Sequence, residues 1–333
     1  MKNRDDLGPM AGGATVAATP LKARGALTYL FTLYDISNQL IGEKLNELHS
    51  GDSYTQTEFA VDGAQPSTTN PMGNPTLGEY YTTEQVGLRY SQFHIGTGTT
   101  SGGTNWVGYL TTLYNDSPVL NYNFAVGGAT IDNSIVDTKV KDVTSQVRDF
   151  ELAYGKKPIS APWSSDNAVF AFWIGTNDIG WGHQNTQPSI PVPTLMAQYK
   201  CLIEKIYASG GRKFLFLNVP PTDRSPMIIK EGPEAVKAYA TWVKAYNNGL
   251  QSMIDVFKSS YTDTNRLLSF FTIRGPLCRR SWTILRHMGS RIPLVLNEDG
   301  MSCIWWNHYH PGQNFYKLQA ADMIQYLQPL GAW

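Results

Sequence analysis

Short apolar runs alternate with amphipathic stretches along most of the chain. Runs rich in aromatic and β-branched residues are typical of strands that are buried on both faces of a parallel sheet. The strands predicted in this way are Leu27–Leu33, Tyr122–Val126, Ala168–Ile174, Lys213–Val219 and Arg266–Ile273.

Apolar stripes with spacings of three and four residues lie between these runs and predict helices. The predicted helices cover the stripes Trp106–Leu113, Val136–Phe150 and Leu195–Ile206, and the stretches Glu234–Phe257 and Phe315–Leu327. Strands that alternate with helices form βαβ units. The pattern therefore predicts an α/β protein with one central parallel sheet flanked by helices.

Three segments fit this plan poorly: Tyr34–Ser50, Gly78–Gly98 and residues 274–300. The first is polar and separates the first predicted strand from the sequence Gly-Asp-Ser. The third begins with an arginine-rich stretch, which fits either a loop insertion, the interpretation we favour, or a basic patch for an acidic partner. We expect residues 1–25 to be a disordered tail, and residues 26–333 to be a single domain with these three irregular insertions.

Composition narrows the classes of function. The chain has 333 residues, of which 42% are hydrophobic, so it can bury a large core. It carries 27 Lys and Arg against 27 Asp and Glu, and therefore no net field that would attract nucleic acid or an anionic membrane. No apolar run reaches the ~18 residues of a membrane span. The three cysteines, Cys201, Cys278 and Cys303, lack zinc-site spacing and allow either one disulfide or none.

Two glycine-containing turns suggest nucleophilic chemistry. In Gly51-Asp52-Ser53, glycine allows a tight turn that exposes the serine hydroxyl, which becomes a nucleophile only when a base lies within hydrogen-bond reach. After a predicted strand, Gly127-Gly128 could present a backbone N–H to a developing oxyanion. Alone, Gly-Asp-Ser is weak evidence, because turns use these residues constantly, and Gly-Gly is equally typical of an ordinary strand-to-helix turn.

Two further turns carry polar side chains. Asn177 follows an apolar strand, where the sites of open α/β sheets collect, and its amide could be a second oxyanion donor or simply form an Asx turn. His308 and His310 could suggest a metal site, but no third ligand with suitable spacing accompanies them. We therefore predict no metal, and we expect His310, just before the last helix, to act as a general base.

Together, these turns place Ser53, Gly128, Asn177 and His310 in one order along the chain. This order resembles the SGNH (GDSL-type) hydrolase superfamily, which is named for Ser, Gly, Asn and His in four successive blocks. The ordered combination is far more specific than any of its members.

A closer resemblance, to fungal acetylesterases of carbohydrate esterase family 16, rests on longer motifs. These motifs are Gly51–Thr57, Asn70–Pro75, Asn105–Val107, Gly127–Asp132 and Phe214–Pro221. The resemblance implies a three-layer, flavodoxin-like fold and a serine esterase that releases acetate from acetylated carbohydrates. It implies a small-molecule ester substrate and neither metal nor organic cofactor. It also suggests secretion, although the N-terminal residues show no leucine-rich core of a secretory signal.

The resemblance implies a role for each site residue. Ser53 is the expected nucleophile and His310 its base, while the Ser53 N–H, the Gly128 N–H and the Asn177 amide form the oxyanion hole. The third catalytic residue is expected at Asn307, where the chain departs from the pattern, because the superfamily usually has Asp three residues before the catalytic His.

The family's first strand also runs directly into Gly-Asp-Ser, whereas here Tyr34–Ser50 intervenes between that motif and the first predicted strand. Two alternatives remain at this point. One is a lipolytic acylhydrolase on the same fold, and the other is a catalytically impaired binding homologue.

Overall fold

The computed structural model describes residues 45–73, 98–184, 190–264, 268–271 and 304–328. Their five strands form one parallel sheet in the order β2-β1-β3-β4-β5. The strands are β1 (Leu45–Gly51), β2 (Val119–Asn123), β3 (Ala168–Trp173), β4 (Lys213–Leu217) and β5 (Leu268–Phe271).

Seven α-helices and one short 3₁₀ helix lie among the described residues. The helices are α1 (Trp106–Thr112), α2 (Val143–Ala153), α3 (Thr176–Gln184), α4 (Val192–Ala208), α5 (Pro226–Glu231), α6 (Pro233–Ser260) and α7 (Gln313–Leu327), and the 3₁₀ helix spans Thr222–Arg224. None of these helices has both the length and the apolarity that crossing a membrane would require.

The core lies on both faces of the sheet, because successive side chains of a strand point to opposite sides. On one face, Phe170 and Phe172 pack with residues of α2, α4 and α6. On the other face, Val169, Ala171 and Trp173 pack with residues of α1 and α7. This arrangement confirms the predicted α/β architecture with helices on both sides of a parallel sheet.

The apolar strands were predicted best. β3 and β4 begin at the predicted residues, Ala168 and Lys213, and end one and two residues earlier than predicted. β2 begins at Val119, three residues before the predicted start at Tyr122, and ends at Asn123. β5 covers the described part of the fifth predicted strand. Leu27–Leu33 lies outside the described residues.

The prediction that all of Tyr34–Ser50 is an insertion is wrong, because Leu45–Gly51 is β1 itself. This strand lies between β2 and β3 and runs directly into the Gly-Asp-Ser turn. Main-chain hydrogen bonds to two neighbours define β1, whereas the prediction relied on side-chain hydrophobicity. Deleting residues 34–50 would therefore remove a central strand. Two other proposed insertions, residues 78–97 and 274–300, lie outside the described residues. The predicted N-terminal tail also lies outside them.

The helix predicted from Val136 is also shorter than expected. Helix α2 begins at Val143, because the Asp142 side chain accepts the Ser145 N–H at 2.8 Å and caps the helix there. Val136 and Val140 belong to the preceding loop. Similarly, α1 ends at Thr112, and the next residue of its predicted stripe is exposed.

The strand order places the functional edge of the sheet. From β1 the chain moves outward to β2 and then returns past β1 to β3, so the order of the strands reverses beside β1. In open α/β sheets, ligands bind in the crevice outside the carboxyl ends of the strands at such a reversal. The turns that follow β1, β2 and β3 are therefore the expected location of a site.

Candidate active site

Ser53 lies in the turn that follows β1, and it is largely buried. The turn is fixed because the Tyr54 N–H donates to the Asp52 carboxylate at 3.0 Å. Gly51 is required at the end of β1, since a Cβ there would collide with the carbonyl oxygen of Trp173. The close packing of β1 against β3 thus determines where the serine hydroxyl stands.

The structure brings Ser53, His310 and Asn307 together. The His310 Nε2 lies 2.9 Å from the Ser53 Oγ, and the His310 Nδ1 lies 3.1 Å from the Asn307 Oδ1. His310 is half-buried, Asn307 is buried, and His308 is exposed and takes no part in this chain of contacts. The three side chains form a line from hydroxyl to imidazole to amide.

The orientation of the Asn307 amide follows from its backbone contacts. Its Oδ1 accepts the N–H of Tyr309 at 2.8 Å and the N–H of His310 at 2.7 Å. Two N–H donors require an oxygen at this position, so the amide cannot turn its NH₂ group toward the imidazole. The Oδ1 therefore accepts the His310 Nδ1–H, and the Nε2 remains an acceptor for the serine hydroxyl.

Buried tyrosines hold the loop that carries His310. The Tyr54 hydroxyl donates to the Tyr309 carbonyl at 2.7 Å, and the Tyr309 hydroxyl lies 2.6 Å from the Tyr239 hydroxyl. The backbone N–H of Trp306 donates to the His310 carbonyl at 2.8 Å within the loop. The tyrosine contacts attach the loop to the turn after β1 and to helix α6.

The second glycine turn follows β2 and lies beside the serine. A Cβ built on Gly127 would be 3.6 Å from the Ser53 Cβ, and its N–H donates to the Gln56 side chain. Gly128 has a φ of 84°, a conformation that favours glycine. Within the described part of the chain, the N–H groups of Ser53 and Gly128 have no protein acceptor. They can therefore donate to a bound oxyanion.

Asn177 stands in the first turn of α3, after the end of β3. One N–H of its amide donates to the Ala129 carbonyl at 2.9 Å. This contact places the amide against the Gly127-Gly128 turn and leaves its second N–H available. All five residues predicted for the site thus follow strands β1, β2 and β3 or belong to the loop before α7.

Burial shifts the pKa of the ionisable groups around the site. Burial, together with the nearby charge of His308, lowers the pKa of His310 from 6.5 to about 3. Burial also raises the pKa of Asp52 and of Asp178 from 3.8 to about 7. Neither carboxyl group replaces Asn307, because Asp52 accepts from Tyr54 and Asp178 accepts the Ile131 N–H at 3.2 Å.

Sequence reasoning missed several residues that support the site. The Gln56 side chain accepts from Gly127, and the Thr100 hydroxyl donates to the Ser53 carbonyl at 2.7 Å. The side chain of Gln146 bonds to Gly51. Gln56 lies in the motif around Ser53, which is a usable signal, whereas Thr100 and Gln146 are distant in sequence and carry none.

The described residues contain no group of three His, Cys, Asp or Glu side chains that could hold a metal ion. Cys201 is an exposed free thiol, while Cys278, Cys303, Glu298 and Asp299 lie outside the described ranges. The site contains a serine with an adjacent base and nearby N–H donors, an arrangement suited to acyl transfer.

Comparison with known proteins identifies relatives of this chain. Residues 48–323 match the family described as GDSL-like Lipase/Acylhydrolase. The chain is 34% identical over 319 residues to an acetylesterase of Thermothelomyces thermophilus, covering 93% of this chain and 92% of that protein. It is 29% identical over 131 residues to an acetylesterase of Hypocrea jecorina, covering 36% of each.

A third relative is named an inactive GDSL esterase/lipase-like protein of Arabidopsis thaliana, at 26% identity over 144 residues, covering 40% of this chain and 33% of that protein. The family match spans most of the chain, and the first relative matches it nearly from end to end. The chain therefore belongs to the GDSL-like (SGNH) lipase/acylhydrolase family and is a carboxylic ester hydrolase.

Proposed function

We propose that this protein is a serine acetylesterase that releases acetate from acetylated carbohydrates through an acyl-enzyme. The contact of 2.9 Å between the Ser53 Oγ and the His310 Nε2 carries the proposal. At this distance the imidazole can take the hydroxyl proton as the oxygen attacks the ester carbonyl. Asn307 orients the imidazole through Nδ1, although it brings no charge.

The tetrahedral intermediate is stabilised by N–H donors around the serine. Its oxyanion accepts from the N–H groups of Ser53 and Gly128 and from the free N–H of the Asn177 amide. Collapse of the intermediate expels the alcohol, which takes the proton from the His310 Nε2. Water, deprotonated by the same nitrogen, then attacks the acyl-Ser53 ester, and acetate leaves as Ser53 recovers its proton.

The acetyl group is inferred from the relatives that are named acetylesterases. A structural observation favours a saccharide as the alcohol. Trp181 is 38% exposed although it is a large aromatic residue. It stands four residues after Asn177 on α3, so the two side chains share a face of the helix. A helical side chain leans back over the preceding turn, which places the indole beside Asn177.

The same helix also contacts the loop that carries the base. A Cβ built on Gly180 would lie 3.2 Å from the hydroxyl of Tyr309, the residue before His310. We infer that the indole of Trp181 borders the site on the side of the Asn177 amide. A flat, partly exposed aromatic ring in this position suits stacking against the apolar face of a sugar ring.

The proposal is tested with purified protein and three kinds of measurement. A fluorophosphonate probe should label Ser53, identified by mass spectrometry, while the Ser53→Ala variant should stay unlabelled. Acetyl esters of 4-nitrophenol should be hydrolysed faster than long-chain esters. Preference for long chains would instead indicate a lipolytic acylhydrolase, and failure to label would indicate an inert homologue.

The saccharide assignment has its own test. Trp181→Ala should raise KM for an acetylated oligosaccharide much more than KM for 4-nitrophenyl acetate, because only the oligosaccharide has a sugar ring that can stack against the indole. Trp181→Phe is the matched control, since it keeps an aromatic face. An equal change for both substrates in Trp181→Ala would exclude Trp181 as a sugar platform.

A further inference from the structure

A buried glutamine holds the strand end that carries the nucleophile. Gln146 lies on α2 and is fully buried. Its Oε1 accepts the Gly51 N–H at 3.0 Å, and its Nε2 donates to the Gly51 carbonyl at 3.0 Å. We propose that Gln146 is a positioning residue for the ester hydrolysis, which sets the placement of Ser53 relative to the oxyanion donors.

Gly51 connects β1 to the turn that carries the nucleophile. It is the last residue of β1 and stands two residues before Ser53. The carboxamide of Gln146 pairs with both backbone groups of this one residue, as a neighbouring strand would in a ladder. The peptide that leads into the nucleophile turn is therefore held by a side chain from a helix.

Helix α2 is also attached to the oxyanion turn, the Gly127-Gly128 turn that follows β2. The first N–H groups of α2, those of Val143 and Thr144, donate to the carbonyls of Thr130 at 2.9 Å and Ile131 at 3.2 Å. These carbonyls lie two and three residues after Gly128. The start of α2 therefore moves together with the segment that presents the Gly128 N–H.

The carbonyl of Gly51 accepts a second hydrogen bond, in addition to the one from Gln146. The Gly51 carbonyl also accepts the Val126 N–H at 3.2 Å, and Val126 immediately precedes Gly127-Gly128. Gly51 is thus the point at which β1, the oxyanion turn and α2 are joined. Without the carboxamide of Gln146, the connection between Gly51 and α2 is lost, and the buried Gly51 N–H loses its acceptor.

The inference rests on Ser53 being the nucleophile, as proposed above. Gln146→Met, which keeps the length of the side chain but removes both hydrogen bonds, should lower kcat for 4-nitrophenyl acetate by about tenfold to a hundredfold, with KM changed less than about threefold. The reason is that a small displacement of the nucleophile or of an oxyanion donor weakens transition-state contacts more than substrate binding.

The adjacent residue supplies a matched control. Val147→Ala removes buried apolar atoms from the same helix without touching Gly51, so it should lower Tm while leaving kcat within about threefold of the parent. If Gln146→Met lowers Tm but keeps the parent kcat, Gln146 is only structural and the inference is wrong.

Two further variants complete the design. If Gln146→Met does not accumulate as folded protein, Gln146→Asn is the second variant, because it keeps a polar carboxamide but is one methylene too short to make both bonds with Gly51. The same loss of kcat without a matching rise of KM is required, and an unchanged kcat would overturn the inference. Turnover that persists in Ser53→Ala would instead contradict the proposed nucleophile, so the two failures are distinguishable.

Discussion

The two halves of the site are held in place by different means. The nucleophile and the oxyanion donors stand directly after adjacent strands, whose main-chain pairing is their principal support, with buried side chains such as Gln146 added to it. The base stands in a loop that is fixed by side chains, namely the Asn307 amide and the hydroxyls of Tyr54 and Tyr309. The sheet side should therefore respond to substitutions mainly in catalysis, and the loop side in both catalysis and stability.

The largest loss of kcat is expected at the contact between His310 and Ser53, where the two halves of the site meet. His310→Ala removes the only base in contact with Ser53 among the described residues, so kcat should fall by about 10³-fold or more. His308→Ala is the matched control. It should lower kcat only slightly, because His308 is exposed and His310 makes the contact with Ser53. Steady-state kinetics on an acetyl ester measures both. Equal losses would mean that the base is misassigned or that both histidines bind a metal, which a chelator would reveal.

The sheet side is tested by Asn177→Ala. Loss of one oxyanion donor should lower kcat by roughly 10²–10³-fold. Tm should change little, because the residue is only half-buried and makes one hydrogen bond, to the Ala129 carbonyl. A kcat close to that of the parent would remove Asn177 from the oxyanion hole and leave the two backbone N–H groups as its donors.

The loop side is tested by Asn307→Asp. A carboxylate would still accept the backbone N–H groups and the His310 Nδ1–H, and its charge would stabilise the imidazolium that forms in the transition state. We expect kcat to rise at least about tenfold, equivalent to about 1.4 kcal/mol of barrier, without a large change in KM. An unchanged or lower kcat would show that orientation alone is sufficient.

The pH dependence of kcat/KM gives an independent measure of how Asn307 acts on His310. His310 acts as a base only when neutral, and its pKa is lowered from 6.5 to about 3 in the parent protein. The parent's kcat/KM should therefore persist well below pH 6, until the pH falls through this lowered pKa. In Asn307→Asp the carboxylate favours the protonated imidazole, so the acid limb should move to higher pH. A shift toward lower pH would contradict the contact between the two side chains.

The smallest effect on turnover is expected from Tyr309→Phe. Its hydroxyl contacts the Tyr239 hydroxyl and donates to the Thr176 carbonyl at 3.2 Å. Removing it takes away two buried hydrogen bonds and should lower the free energy of unfolding by about 1–3 kcal/mol. We expect kcat to stay close to the parent value, because Tyr54 still holds the loop.

Urea unfolding measures the stability of the Tyr309 variant. Tyr207→Phe is its control, since that hydroxyl bonds to Asp263 at an exposed position and its loss should be nearly neutral. A large loss of kcat in Tyr309→Phe would show that the loop positions its base less rigidly than the contacts indicate.

The two halves also differed in how far the sequence could predict them. Strands such as β3 and β4 were predicted because all of their residues except Lys213 are apolar, as is typical of a central parallel strand that is buried on both faces. β1 was missed because its sequence, LNELHSG, is polar, and only its pairing with β2 and β3 defines it.

The candidate site residues were predicted because they occur in local motifs in a fixed order. The orientation of Asn307 and the role of Gln146 were not predictable in the same way. The first depends on how the loop folds back onto the Asn307 side chain, and the second joins residues 95 positions apart. No local pattern in the sequence records such contacts.

The contact between Ser53 and His310 also has a consequence for folding. It joins residues that are 257 positions apart, so the loop must dock onto the sheet before the pair exists. Contacts of such long sequence separation form late, because the entropy of closing the chain must be overcome first. During refolding, the recovery of esterase activity should therefore lag behind the burial of Trp173 in the sheet, and activity reports on completion of the whole fold.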